Sequence, residues 1–379
     1  MAGVRRNAAT RLMTCVLAAL VIAACATLPT DEQVETSTEQ FDRQLQALAR
    51  EGFAGQVLVA RGDKVLLLSG YGTMGLDDPL PVTDNAVMPL ASVTKPFAAS
   101  AVFALAAEGR LGLDDPIGDF LEALEPPWSD IPIGALLTHT AGLPAEIRHR
   151  DHANGHLFEP VDRETFLERV QQFPPDHPPG DGFNYSNIGY GIVAAVIETA
   201  AEQSWEAYLV GSLLNTAGIS DIGLELPEWQ PPELVRARHD ELDLGHWLEQ
   251  PRLADGMGYN IRGAGDLLAR PTGILAWWHA MRREIWLSSP WLELWLEPQV
   301  REPDGSQYGF GLHFRNSPLG PVIGHTGAEA GFTVDFSWFT QLDLLVYINS
   351  ANADFPADEL HSLLLAFLAG HSTATGSSR

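Results

Sequence analysis

Three short stretches carry residue types suited to acyl transfer: Ser92-Val93-Thr94-Lys95, Tyr185-Ser186-Asn187 and His325-Thr326-Gly327. A serine hydroxyl is a weak nucleophile until a neighbouring base takes its proton. In the first stretch that neighbour is Lys95, three residues on, and a helix brings the two side chains to one face. A nucleophile at the start of a helix also lies beside backbone N–H groups without an intrahelical acceptor, where an oxyanion can be stabilised. Lysine and tyrosine are both protonated at neutral pH, with ordinary pKa values of about 10.4 and about 10. Either acts as base only where burial or neighbouring cations lower its pKa. Mutual proximity of Lys95, Tyr185 and His325 would do this, and the sequence leaves the choice between Lys95 and Tyr185 open.

The elements around these stretches can be read from periodicity. Residues 93–108 are Ala-rich with Phe97, Val102, Phe103 and Leu105, stop at Gly109, and carry Pro96 in the first turn where a missing N–H costs little. Tyr185-Ser186-Asn187 ends a Gly/Pro-rich loop before an apolar helical run, 188–200. His325 ends a predicted strand, 322–326, flanked by further strand patterns at 308–314, 332–339 and 344–349 and by a final helix at 357–368. Near the other end, 55–60 and 65–69 predict a hairpin across Arg61-Gly62-Asp63-Lys64, preceded by a helix over 39–49. Between about 110 and 300 the pattern is mainly helical, and a Trp286, Trp291, Trp295 stripe reads as core packing. Strands at both ends with helices between them predict an α/β (α+β) chain, one sheet assembled from both termini with a helical lobe inserted. The expected limits are about 38–90 plus 300–372 for the α/β part and about 91–299 for the lobe, with a disordered tail at 373–379.

The three stretches, in this order, resemble the SxxK, YxN and K/H-T-G elements of serine β-lactamases and penicillin-binding proteins. The branch most resembled holds class C β-lactamases, D,D-carboxypeptidases, D-aminopeptidases and β-lactamase-like esterases. Leu136-Leu137-Thr138-His139-Thr140-Ala141-Gly142-Leu143-Pro144, and Gly324 before the third motif with Gly331-Phe332 after it, are phrases typical of that family. The similarity runs over about 53–352. The resemblance implies a β-lactamase/transpeptidase-like fold with an antiparallel sheet and the active site between sheet and lobe. It implies that Ser92 is acylated, that Lys95 and Tyr185 share general-base and general-acid work, and that Asn187 bonds a substrate amide or positions Lys95. It further implies that His325, Thr326 and Gly327 line the site, with His325 and Thr326 contacting a substrate carboxylate. The backbone N–H groups of Ser92 and Ala328 would form the oxyanion hole. Asn349 and Asn352 match, more loosely, asparagines near the carboxylate pocket. Histidine stands where many β-lactamases have lysine, which lowers the expectation of efficient β-lactam hydrolysis.

Composition sets the address and excludes other classes. Lys+Arg number 23 against 49 Asp+Glu, for a formal net charge of −26, and only Lys64 and Lys95 are lysines. Such a surface repels phosphate backbones, so no nucleic-acid partner is expected. Arg5, Arg6 and Arg11 precede an apolar run, 12–24, of signal-peptide form and too short to span a bilayer. The run ends in Ile22-Ala23-Ala24-Cys25, which resembles a bacterial lipobox and makes Cys25 the expected lipidated residue, followed by a tether to about residue 37. The expected location is the cell envelope, facing the periplasm or exterior. With Cys15 inside the signal, no cysteine pair, thiol nucleophile or thiolate metal site remains.

Other chemistry has weaker support. His149, Asp151, His152 and His156 fall in a polar loop rather than at the i, i+4 spacing of a helical metal site, and no H-E-x-x-H occurs. There is no G-x-S-x-G, no P-loop and no dinucleotide fingerprint, so no cofactor or metal is expected. His139 reads as a structural hydrogen-bonding residue. The expected partner is a small-molecule or peptide substrate bearing an amide or ester: a D-amino-acid peptide, a β-lactam or a small ester. A promiscuous carboxylesterase is the alternative within enzymes. A non-catalytic, cell-wall-binding envelope lipoprotein is the alternative outside them, against which the intact Ser92, Lys95 and Tyr185 argue.

Overall fold

In the computed structural model, which describes residues 28–144, 161–224, 228–249, 258–259 and 261–370, the first element is helix α1, Asp31–Arg50. It starts at Asp31, not at Glu39, because Thr30 and Gln33 form a reciprocal capping box. Val34, Ser37 and Thr38 are buried, so what reads as the end of a tether is part of the domain. The two polar residues break the apolar spacing but satisfy themselves on backbone carbonyls, Ser37 on Phe367 and Thr38 on Val34. The signal run, Cys25, the 149–156 histidine loop and the 373–379 tail lie outside the described residues.

The hairpin β1 (Gly55–Arg61) and β2 (Lys64–Tyr71) opens the main sheet. Its other strands are β8 (Val300–Arg301), β9 (Gln307–Tyr308), β10 (His313–Ser317), β11 (Gly320–Glu329), β12 (Phe332–Phe339) and β13 (Leu344–Ser350). The order is β2-β1-β13-β12-β11-β10-β9-β8, antiparallel throughout, so the last strand pairs with the first and the sheet joins both chain ends. The run predicted as one strand over 308–314 is two, because the chain turns at Gly311 (φ +76°). A Cβ there would stand 2.8 Å from the Lys95 carbonyl oxygen, so glycine is needed for the close pass.

Alternation along the strands separates two cores. Val57, Val346 and Ile348 face α1 and the final helix α8 (Ala357–Leu368), meeting Phe41, Leu45, Leu360 and Leu364. Leu58, Leu345, Tyr347 and Phe336 face the lobe, whose central helix α2 (Thr94–Ala107) is buried nearly all round. That is why α2 is rich in alanine rather than amphipathic. The lobe also holds α3 (Ile133–Leu137), α4 (Arg163–Val170), α5 (Asn187–Ala201), α6 (Pro271–Arg282) and α7 (Trp291–Trp295). It is less purely helical than its sequence suggests. Short strands β3 (Met88–Pro89), β4 (Ile222–Gly223) and β7 (Leu268–Ala269) form one small sheet, and β5 (Arg236–His239) with β6 (Leu242–His246) forms another. Trp295 is buried with Nε1 donating to the Phe310 carbonyl at 2.9 Å, and Trp286 and Trp291 pack against the same core.

Candidate active site

Ser92 sits in a 3-10 turn, Ala91–Val93, that leads into α2. The turn is held from three sides. Asn349 Nδ2 donates to the Pro89 carbonyl at 2.9 Å, Leu90 N donates to Leu267 O at 2.8 Å, and Leu267 N donates to Thr94 Oγ1 at 3.2 Å. Ala91 carries φ +45°, a conformation that favours glycine, so Ser92 follows a strained residue clamped by its neighbours.

Lys95, one helical turn on, is fully buried. Its Nζ lies 3.1 Å from Ser92 Oγ, 2.8 Å from Asn187 Oδ1 and 2.9 Å from the Ala264 carbonyl. Burial drives its pKa down to about 7, only partly opposed by Glu329 and Asp266. The neutral amine has two N–H bonds and one lone pair. Asn187 Oδ1 and Ala264 O can only accept, so they take the two N–H groups and leave the lone pair facing Ser92 Oγ–H.

Tyr185 lies with its ring 4.8 Å from Lys95 Nζ and hydrogen bonds to Ser92. Desolvation raises its pKa, opposed in part by that bond, so the phenol is protonated. The loop holding it is fixed by His139, whose Nδ1 accepts the Ser186 backbone N–H at 3.1 Å. Ser186 Oγ in turn donates to the Pro144 carbonyl and caps α5 through Gly189 N. The His139 ring lies 4.2 Å from the Tyr185 ring, tilted by 38°, and burial keeps its pKa well below the usual histidine range.

The third motif lies on β11. Strand β10 pairs only with 320–324, so 325–329 has no strand partner on that side among the described residues. The hairpin β11–β12 closes at Glu329 and Phe332 over Ala330-Gly331, both with positive φ as in a type I′ turn. The closing pair exchanges both backbone hydrogen bonds, and the pattern alternates along the strand. Glu329, Gly327 and His325 therefore spend their amides on β12, while Ala328 and Thr326 direct theirs to the open edge. Gly327 brings that edge against the nucleophile, since a Cβ on it would lie 2.9 Å from Ser92 N. Ser92 N beside Gly327, and Ala328 N directed to the open edge, are therefore the two candidates for an oxyanion hole.

His325 is placed differently from its expected role. It is buried, with Nδ1 2.6 Å from the Thr326 carbonyl and Nε2 3.0 Å from Tyr308 Oη. A carbonyl only accepts, so Nδ1 carries the proton and Nε2 accepts the Tyr308 O–H. Burial first, then His313 and Lys95, push its pKa well below the ordinary value, so the ring is neutral. Both nitrogens are occupied inside the protein, which leaves no imidazolium to bind a carboxylate. Asn349 and Asn352 are not at the groove either. Asn349 bonds Pro89 O and Tyr347 Oη, and Asn352 bonds Gly52 O and the Asp354 N–H, so both act as backbone ties. Thr326 is half-buried and reaches the groove edge through its backbone.

The structure adds residues that the motifs do not mark. Tyr190, whose hydroxyl donates to Leu137 O at 2.8 Å, and Tyr308 close the pocket around Lys95 and His325. His313 pairs with Glu302 at 2.8 Å behind His325. The Ala264 carbonyl has no signature in residue type. His139 does have one, inside the Leu-Thr-His-Thr phrase.

A family model described as Beta-lactamase matches residues 39–366. Penicillin-binding protein 4* of Bacillus subtilis (strain 168) is 26% identical over 325 residues, 80% of this chain and 69% of its own length. Protein flp of Staphylococcus aureus (strain COL) is 24% identical over 326 residues, 84% of this chain, and the chain spans 59% of that relative's length. Among solved structures, a β-lactamase/D-alanine carboxypeptidase from Pseudomonas syringae superposes with TM-score 0.73 at 15% identity, covering 89% of this chain and 99% of that one. A D-amino acid amidase from Ochrobactrum anthropi gives TM-score 0.70 at 18% identity, covering 88% and 99%. These likenesses establish the β-lactamase/transpeptidase fold. With the family model spanning most of its length, the chain belongs to the Beta-lactamase family.

Proposed function

We propose that the protein is a serine hydrolase that cleaves an amide or ester through an acyl-enzyme on Ser92, with Lys95 as the base. The observation that carries this reading is the Lys95 amine, buried, lowered to about 7 and held between two pure acceptors with its lone pair on Ser92. As Ser92 Oγ bonds the acyl carbon, its proton passes to Lys95 Nζ, and the oxyanion is met by the N–H groups of Ser92 and Ala328. Collapse breaks the bond to the leaving amine or alkoxide, which takes the Tyr185 proton, and Lys95 reprotonates Tyr185. Water then attacks the ester carbonyl by the reverse proton path and frees Ser92.

Esters and amides, including amides of D-amino acids, are the substrates favoured where no carboxylate must be held, because His325 is neutral and turned inward. β-Lactams and D-amino-acid peptides with a free carboxylate are the less favoured members of the same set. An address in the cell envelope, through lipidation at Cys25, rests on the sequence run before it. Cys25→Ser should then move the protein from the membrane to the soluble fraction.

Mass spectrometry after fluorophosphonate treatment tests the central reading, with an adduct expected on the Ser92 peptide and none in Ser92→Ala. Label elsewhere, or full turnover in Ser92→Ala, would reject it in favour of a binding lipoprotein or another nucleophile.

A further inference from the structure

Asp266 is fully buried, in the chain segment that follows Ala264. A buried carboxylate must be compensated by hydrogen bonds or a paired charge. Asp266 Oδ1 accepts the Gly263 N–H at 3.0 Å, and Oδ2 accepts Trp205 Nε1–H at 3.1 Å, with Arg262 as the nearby cation. The first bond folds 263–266 into a tight loop, with Gly263 at φ +68°. The loop is wedged between the nucleophile turn and α5. A Cβ on Gly263 would lie 2.8 Å from Tyr190 O, and one on Gly265 would touch the Ala91 backbone. At the tip, Ala264 O receives Lys95, and Leu267, directly after Asp266, is bonded to both Leu90 and Thr94. One carboxylate therefore organises a loop that touches the strained residue before Ser92, the base and the helix that bears the base.

We propose that Asp266 is a positioning residue for the reaction: it folds the loop that presents the Ala264 carbonyl to Lys95, and places a negative charge behind that loop. The proposal rests on the reading of Lys95 as the base of Ser92. The groups facing Lys95 are Glu329 and Asp266, the rings of Tyr185 and Tyr190, and the neutral His139 and His325. Glu329 and Asp266 are the carboxylates that keep the lysine from falling further. Asp266 itself is raised to about 6 by burial, held down in part by Arg262 and by the donors on its oxygens. At and above the Lys95 midpoint it is therefore mostly ionised.

The test is the pH dependence of Ser92 phosphonylation by a fluorophosphonate, which needs no knowledge of the natural substrate. In that step the Ser92 Oγ–P bond forms, the P–F bond breaks, fluoride leaves and the serine proton goes to Lys95. In wild type the rate should rise with pH through the Lys95 pKa. Asp266→Asn removes the charge, so the acid limb should move to lower pH, by on the order of half a unit. The plateau rate should also fall, because the amide places an N–H against one of the two donors and loosens the Ala264 tip. Trp205→Phe removes one donor without adding another, raises Asp266 and should shift the limb in the same direction by less. It carries the test if Asp266→Asn does not fold. A residue that only stabilises the fold would lower the melting temperature and leave the limb in place. A limb unmoved in the folded variants would overturn the proposal while leaving the Ser92 reading intact. Absence of any Ser92 adduct in wild type would instead sink the reading beneath it.

Discussion

The Nδ1 atom of His139 accepts the backbone N–H of Ser186 at 3.1 Å, so a histidine from the loop after α3 fixes the loop that carries the second motif. Tyr185 and Asn187 flank that bond on either side, one reaching Ser92 and the other Lys95. The register of the loop that carries Tyr185 and Asn187 is thus set by the His139 side chain.

His139→Ala should therefore impair both fold and turnover. The Ser186 N–H would be left buried without an acceptor, a loss of about 1–3 kcal/mol. Displacement of Asn187 from Lys95 should reduce kcat/KM for a small ester by up to roughly 10²-fold. Thermal melting and ester kinetics on the same preparation check both. A lowered melting temperature with normal kcat/KM below it would show that His139 does not position the loop.

The pH profile follows from two shifts of opposite sign. Lys95 must be neutral to accept the Ser92 proton, and burial lowers it to about 7, so kcat/KM should fall about tenfold per unit below that pH. Tyr185 must be protonated to serve as acid, and burial raises it, so no tyrosine limb should appear up to pH about 10. Lys95→Ala should erase the acid limb along with nearly all activity. A profile that instead rises through pH about 10, with the same limb kept in the residual activity of Lys95→Ala, would make Tyr185 the group whose deprotonation is required.

Much of this arrangement is legible in the sequence, for reasons that can be named. The β12 bounds and the final helix are those periodicity predicts, because Val334 and Phe336 alternate onto the lobe face of the strand and Leu360 and Leu364 share one buried face of the helix. Ser92, Lys95, Tyr185 and Asn187 converge as the motifs imply. What stays hidden depends on contacts between distant segments. The Ala264 carbonyl is backbone and has no residue signature. The neutral state of His325 is decided by burial and by His313 and Lys95, both brought to it from other elements. Asn349 and Asn352 have the right residue type near the right strand, but their amides face inward to Pro89 and Gly52.

The start of α1 gives a stability prediction. Val34 is fully buried among residues of the core between sheet, α1 and α8, in a stretch whose composition suggests a tether. Val34→Ala should cost about 2 kcal/mol, the lost methyl burial plus part of a cavity. Urea unfolding with an unchanged m-value would read this directly. A change below about 0.5 kcal/mol would mean that 31–38 does not belong to the folded unit.

The last prediction concerns substrate charge and turns on His325. As an imidazolium at the groove, it would bind a substrate carboxylate and lose that grip as pH rises through the histidine range. Its geometry argues otherwise. Nδ1–H is spent on Thr326 O, Nε2 is spent on Tyr308 Oη, and burial with His313 and Lys95 nearby keeps the ring neutral. The fields acting on Lys95 and Tyr185 are acidic, from Glu329, Asp266 and Glu302. A p-nitrophenyl ester bearing a terminal carboxylate should therefore be a poorer substrate than its uncharged analogue. Both should show the same acid limb, with no separate decline between pH about 5 and 7 for the anionic one. His325→Lys, if it folds, adds a cation beside Lys95. It should raise the anionic-to-neutral ratio of kcat/KM and move the acid limb to lower pH, since a neighbouring positive charge disfavours protonated Lys95. Wild-type preference for the anionic ester, with a decline confined to that substrate through the histidine range, would show that His325 does act through its charge.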